Sequence, residues 1–190
     1  MIIGLTGGIG SGKSTALKAL KDKGFNTVSC DEVNRELYTK RKTLKKLRAE
    51  FPTAITGFFK LFADKKEIAK LAFSDEKKYR FLTDYLTRET FKIAMKRAKK
   101  LKGKVIVEVP LLFENNLAGT FDKVIVITRD KAARIDSVKA RSQLTDSEIA
   151  DRFSRQIDYD SFDLSAFTVI KNDGSEQDLA AAVIKTVEEF

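Results

Sequence analysis

The sequence predicts an α/β fold in which a parallel sheet of five strands lies between two layers of helices. Short, nearly continuous apolar runs, typical of strands buried on both faces, alternate with stretches of helical spacing. The middle third of the 190-residue chain has helical spacing and little strand signal. A chain of this length can form one compact domain, 1–190, that carries a helical insertion.

The five apolar runs are the predicted strands, and they cover residues 2–6, 27–30, 104–109, 123–128 and 167–171. Helices are predicted over 14–23, 31–38, 131–141 and 146–156, and after 175. A capping box begins at Thr145, and the segment from Ser175 to Asp178 starts the final helix. Strands joined through helices favour parallel pairing.

Residues 43–102 are predicted to form a helical substrate-binding insertion. A capping box from Asp64 to Glu67 opens one helix, and one or two long amphipathic helices fill 75–102. The core is then 1–42, 103–128 and 158–190, and the helical hairpin over 129–157 is a candidate lid.

Composition excludes several kinds of chemistry. The chain has no histidine, which excludes histidine-based nucleophile chemistry and histidine metal sites. Its single cysteine, Cys30, excludes an intramolecular disulfide. A proton acceptor must be a carboxylate or, as a weaker alternative, a lysine or tyrosine. No apolar run is long enough for a membrane span and no signal peptide is evident, so a cytoplasmic protein is expected.

The net charge of +9 favours anionic ligands. Basic residues cluster over 40–48 and 92–104, and we interpret these clusters as solvated helix faces rather than as a nucleic-acid footprint. They are not interleaved with aromatic residues, as single-strand binders require.

Residues 7–14, Gly-Gly-Ile-Gly-Ser-Gly-Lys-Ser, match the phosphate-binding loop pattern G-x-x-x-x-G-K-[ST] in full. The glycines allow main-chain N–H groups to turn toward phosphate oxygens, and the following helix adds a favourable dipole. Lys13 is the candidate for neutralising phosphate charge, and the Ser14 hydroxyl for binding Mg²⁺. A dinucleotide-binding G-x-G-x-x-G loop starting at Gly8 is excluded, because it requires glycine where Lys13 stands.

The remainder of the chain favours a P-loop kinase. A GTPase is disfavoured because the sequence lacks N-K-x-D and D-x-x-G. Asp31 follows a predicted strand and is a candidate base, with a helix N-cap as the alternative role. Five arginines, either a phosphate clamp or solvated surface, fall in the candidate lid: Arg129, Arg134, Arg141, Arg152 and Arg155.

At this point the chain resembles the dephospho-CoA kinase family. The resemblance rests on residues 2–37, on residues 64–75, on the segment V-P-L-L-F-E over 109–114, on Arg155-Gln156 and on 169–179. It implies transfer of the ATP γ-phosphoryl to the ribose 3′-hydroxyl of dephospho-CoA, with Mg²⁺. The expected partners are these two small molecules, with neither nucleic acid nor membrane, and the expected state is a monomer or weak homo-oligomer.

The resemblance also implies roles for single residues. The loop residues expected to bind ATP phosphates are Gly8, Ile9, Gly10, Ser11, Gly12, Lys13, Ser14 and Thr15. Asp31 acts as base, Arg141 is the lid arginine, and Asn172 lies near the adenine. Glu108, at the end of an apolar strand, is a candidate for binding Mg²⁺ through water.

Some positions depart from the family pattern. Ser29 replaces the first aspartate of a D-A-D element, Lys65 replaces an arginine, and Arg134 and Ser137 stand where glutamine and arginine are usual. Two other functions remain open: another small-molecule P-loop kinase, such as a nucleoside monophosphate kinase, and a regulatory nucleotide-binding module that acts on nucleic acid.

Overall fold

A computed structural model describes residues 1–142 and 144–190 and confirms the α/β fold. Its main sheet has five parallel strands in the order β2-β5-β1-β6-β7, and a separate antiparallel pair is formed by β3 and β4. The strands are β1 Ile2–Gly7, β2 Asn26–Ser29, β3 Ile55–Thr56, β4 Phe62–Ala63, β5 Val105–Glu108, β6 Lys123–Thr128 and β7 Thr168–Lys171.

The described α-helices are α1 Lys13–Asp22, α2 Cys30–Leu37, α3 Arg41–Glu50, α4 Lys65–Phe73, α5 Glu76–Ala98, α6 Lys131–Arg141, α7 Asp146–Ser154 and α8 Glu176–Glu189. The predicted capping box of α7 is confirmed, with Thr145 paired to Glu148. Helix α8 also begins with a capping box, in which Ser175 is paired to Asp178. Asp64 caps α4 by accepting hydrogen bonds from two main-chain N–H groups. Residues 155 and 156, predicted as helix, lie beyond the end of α7.

The chain divides into two compact units. The first, Met1–Ser29 with Arg97–Phe190, contains the parallel sheet, and its core packs buried residues of β1 and β6 against α1 and α8. β1 lies in the middle of the sheet, where Leu5 is paired with Glu108 on one side and Ile125 on the other. The loop that follows β1 is therefore anchored to the central strand of the sheet.

The second unit, Cys30–Lys96, has its own core of buried residues from α3, α4 and β3. The β3–β4 hairpin in it was not predicted, because two strands of two residues each are too short to give a periodic pattern. The predicted limits of the insertion and of the lid stay predictions, and Gln143 of the lid lies outside the described residues.

Over residues 1–142 and 144–190, every helix is too short or too polar to cross a membrane.

Candidate phosphate-binding site

The glycine-rich loop connects the central strand to a helix, as the sequence predicted. β1 ends at Gly7 and α1 begins at Lys13. Gly12 is the N-cap of α1 and has φ +103°, in the left-handed region that favours glycine. The first turn of α1 has no acidic side chain, so the partial positive charge of the helix N-terminus remains available to an anion.

The side chain of Lys13 folds back over the loop. Its Nζ donates hydrogen bonds to the main-chain oxygens of Gly7, at 2.7 Å, and Gly8, at 2.9 Å. Ser14 lies in the first turn of α1 and is exposed, and Thr15 is half-buried. The ammonium group and the Ser14 hydroxyl therefore belong to the same short stretch of loop and helix.

Two side chains from distant parts of the sequence brace the loop. The Gln156 side chain accepts a hydrogen bond of 2.8 Å from the N–H of Ile9. The Asn172 side chain donates a hydrogen bond of 2.8 Å to the main-chain oxygen of Ser11. The Asn172 N–H in turn donates to the oxygen of Thr128, at the end of β6, so the brace is tied to the sheet.

The five arginines of the candidate lid do not share one environment. Arg134 is buried against Gly8, whereas Arg141, the last residue of α6, is exposed. Arg155 forms two hydrogen bonds to Asp151, one turn earlier, at 2.9 and 3.0 Å. Solvated surface is therefore the wrong interpretation for Arg134.

A buried carboxylate lies at the end of β5. Glu108 is 3% exposed, and its Oε2 accepts a hydrogen bond of 2.8 Å from the Ser29 hydroxyl, directly opposite on β2. Among the residues that the structure describes, no three acidic or cysteine side chains group closely enough to hold a metal ion. A metal at this loop would depend on Ser14 and on ligand phosphates.

The V-P-L-L-F-E segment ties the end of β1 to the chain that follows α7. The Thr6 hydroxyl donates to the oxygen of Val109 at 2.9 Å, and the Phe113 ring packs on Tyr159 and on two further phenylalanines. Glu114 accepts a hydrogen bond of 2.9 Å from the N–H of Ile157. Burial, followed by the negative charge of Glu114, raises the pKa of Tyr159 to about 12.

Asp31 belongs to the second unit and is exposed. Helix α2 begins at Cys30, so Asp31 lies inside its first turn, and the N-cap alternative is wrong. A carboxylate in the first turn still interacts favourably with the helix dipole.

Sequence reasoning missed the contact of Arg134 with the loop and did not assign Gln156 its hydrogen bond. Only the resemblance singled out Gln156, as part of a short signature, and no local pattern marks a glutamine that will bond to a loop 147 residues away.

Comparison with known proteins agrees with this geometry. The dephospho-CoA kinase family model matches residues 1–178. A dephospho-CoA kinase from Thermus thermophilus is 31% identical over 185 residues, which cover 96% of this chain and 88% of the relative. A crystal structure of a Thermus thermophilus protein superposes with a TM-score of 0.82 at 29% identity, covering 100% of this chain and 97% of the other.

A shikimate kinase from Aquifex aeolicus shares the fold alone, with a TM-score of 0.52 at 16% identity over 100% of this chain and 97% of its own. Sequence identity therefore distinguishes this chain from kinases that share only its fold. Since the family match runs from the central strand through to the start of α8, the chain belongs to the dephospho-CoA kinase family.

Proposed function

We propose that the protein transfers the γ-phosphoryl group of ATP to the ribose 3′-hydroxyl of dephospho-CoA. Membership of the family makes it an ATP-dependent kinase. The observation that carries the phosphoryl-donor half of the proposal is the loop between β1 and α1, with the Lys13 ammonium held over it by two main-chain oxygens. The acceptor is inferred from the family.

On the donor side, the residues from Gly8 to Thr15 bind the ATP phosphates. When ATP binds, the Lys13 ammonium exchanges carbonyl partners for phosphate oxygens and neutralises charge that develops during transfer. Ser14 is the first candidate ligand for Mg²⁺, and Glu108 acts through water. Mg²⁺ held by Ser14 would neutralise negative charge on the phosphates of ATP.

On the acceptor side, Asp31 is the proposed base. It accepts the proton of the 3′-hydroxyl as the hydroxyl oxygen attacks the γ-phosphorus and ADP leaves. In a chain without histidine, an exposed carboxylate just after β2 is the natural proton acceptor. We further propose that the helical insertion over 43–102 binds dephospho-CoA, the acceptor.

Arg141 and Asn172 complete the proposed nucleotide site. Arg141 is exposed at the end of α6, so its guanidinium is accessible to a phosphate without any rearrangement of the core. Asn172 is bonded to the loop through its side-chain amide, which supports a role in shaping the phosphate site alongside the expected one near adenine.

The test is ADP release with dephospho-CoA as acceptor, beside a panel of nucleoside monophosphates. We expect turnover with dephospho-CoA and none with the nucleoside monophosphates. Asp31→Asn should lower kcat by about a hundredfold or more, since general base catalysis contributes on that order. Asp22→Asn, which changes an exposed aspartate of α1, is the matched control and should keep full activity.

Turnover on a monophosphate but not on dephospho-CoA would make the chain a nucleoside monophosphate kinase and refute the proposed acceptor. Full activity of Asp31→Asn would refute only the assignment of the base.

A further inference from the structure

Arg134 is a buried cation with little to neutralise it. Its side chain is 5% exposed, and among the described residues its one carboxylate partner is Asp160, with 3.8 Å between Nη2 and Oδ2. The Asp160 side chain is itself 59% exposed. The Nε of Arg134 is buried and has no hydrogen-bond partner among residues 1–142 and 144–190, and the guanidinium lies over the Phe153 ring at 5.3 Å. Buried arginines are usually well paired, so this arrangement requires an explanation.

The guanidinium packs directly on the phosphate-binding loop. A β-carbon added at Gly8 would collide with Nη1 of Arg134, and one added at Gly10 would collide with its main-chain oxygen. Ile9, between these glycines, is held by Gln156. The loop turn from Gly8 to Gly10 is therefore enclosed by α6 and by the chain that follows α7.

Each contact limits a different movement of the turn. The backbone of α6 lies against Gly10, the guanidinium covers Gly8, and the Gln156 oxygen fixes the direction of the Ile9 N–H. A loop that binds phosphate through its main chain depends on such preorganisation. A cation at this position also contributes positive electrostatic potential at the loop. Water screens this potential only weakly, because the side chain is buried.

We propose that Arg134 is a positioning residue for the nucleotide phosphates, which holds the Gly8–Gly10 turn in its binding conformation and places a positive charge beside it. The inference rests on the proposed ATP role of the loop and is independent of the acceptor. Lys13 and Arg134 then have separate roles: Lys13 lies across the loop and touches the phosphates, whereas Arg134 packs on Gly8 and Gly10 and holds the turn.

The test measures binding of ATP, ADP and AMP to the full chain by competition with a fluorescent ATP analogue. Arg134→Gln should weaken ATP and ADP binding about tenfold and change AMP binding less than twofold, because AMP lacks the β- and γ-phosphates. Arg134→Lys, which keeps the charge, should stay within about threefold of wild type for ATP. The dependence of ATP affinity on salt should be shallower in Arg134→Gln than in wild type.

The matched control is Arg80→Gln, which changes an exposed arginine of α5 that pairs with Glu76 one turn earlier. Its three affinities should equal those of wild type. ATP binding by Arg134→Gln within twofold of wild type would overturn the inference. So would an equal loss of ATP and AMP binding, since that pattern indicates a loop that has merely unfolded.

Asp160→Asn provides a second arm that leaves Arg134 in place. It removes the exposed carboxylate that partly neutralises the guanidinium, so ATP affinity at low salt should rise about two- to threefold. Unchanged or weaker binding would count against the inference. If the variants show these affinities but the wild-type protein does not phosphorylate dephospho-CoA, the proposed acceptor is refuted and the role of Arg134 is not.

Discussion

The side-chain amide of Asn172 donates a hydrogen bond to the main-chain oxygen of Ser11, which lies 161 residues earlier in the sequence. Both residues are buried, and Asn172 also bonds through its main chain to the end of β6. The conformation of the phosphate-binding loop thus depends on the segment after β7.

Asn172→Ala should destabilise the protein and weaken ATP binding together. The change leaves a buried carbonyl without its donor, which costs about 1–3 kcal/mol in the free energy of unfolding. Asn26→Ala is the matched control, because Asn26 makes the same kind of bond, to Lys102, at an exposed position. Its effect should stay within about 0.5 kcal/mol in urea unfolding. Equal losses in the two variants would contradict the brace.

Gly12→Ala should be more damaging than Gly24→Ala. The two glycines have nearly the same φ, +103° and +100°, so both variants incur the left-handed backbone cost of about 1–2 kcal/mol. A β-carbon at Gly12 would also lie 2.5 Å from the Asn172 amide, whereas one at Gly24 would have no atom of the described part of the chain within 4 Å. Crowding adds about 1–3 kcal/mol at Gly12 alone. Urea unfolding measures the stability of each variant, and ATP affinity measures the effect on the phosphate-binding loop. Similar values for both variants would rule out the crowding at Gly12.

Tyr159 should make the protein less stable at high pH. Its pKa is raised to about 12 in the folded state, against about 10 in an unfolded chain. Its contribution to stability is complete below pH 10 and is lost as the pH rises through 12, because only the unfolded phenol ionises easily. The loss is at most about 1.4 kcal/mol per pH unit.

The measurement compares urea unfolding of wild type and Tyr159→Phe at pH 8 and pH 11. Wild type should lose more free energy of unfolding than the variant between these two values. Parallel losses would show that lysines and other tyrosines account for the whole effect.

Glu108→Gln should raise the Mg²⁺ concentration needed for half-maximal rate about tenfold, as loss of an outer-shell partner does at other metal sites. Glutamine keeps an oxygen that can accept the Ser29 hydrogen bond, so stability should change little. Ser29→Ala is the companion variant and should have a smaller effect on Mg²⁺ dependence. Binding of Mn²⁺ with ATP, followed by electron paramagnetic resonance, gives a readout apart from turnover.

Unchanged Mg²⁺ and Mn²⁺ dependence together with a large loss of stability would assign Glu108 a structural role instead.

Local patterns predicted much of the fold. The five strands of the main sheet, the glycine loop, the capping box at Thr145 and the helix start at Ser175 each depend on residues close together in sequence. The start of α2 was misplaced by one residue, because aspartate is a common N-cap and Cys30 carries no helix signal.

The surroundings of the loop could not be predicted in this way. Arg134 has the charge that is typical of a surface residue, and its burial results from packing against Gly8 and Gly10. The bonds of Gln156 and Asn172 likewise join the loop to chain more than a hundred residues away. Such contacts arise only once the sheet order is fixed.

The central position of β1 has a consequence for biosynthesis. Its two sheet neighbours begin at Val105 and Lys123, and the residues that brace its loop follow at Arg134, Gln156 and Asn172. A nascent chain therefore carries its nucleotide motif unformed through most of translation, when chaperones and proteases compete for it. The chain should become able to bind ATP only late in synthesis, once all of these segments are present. A ribosome-bound fragment that ends before β7 should therefore retain no nucleotide.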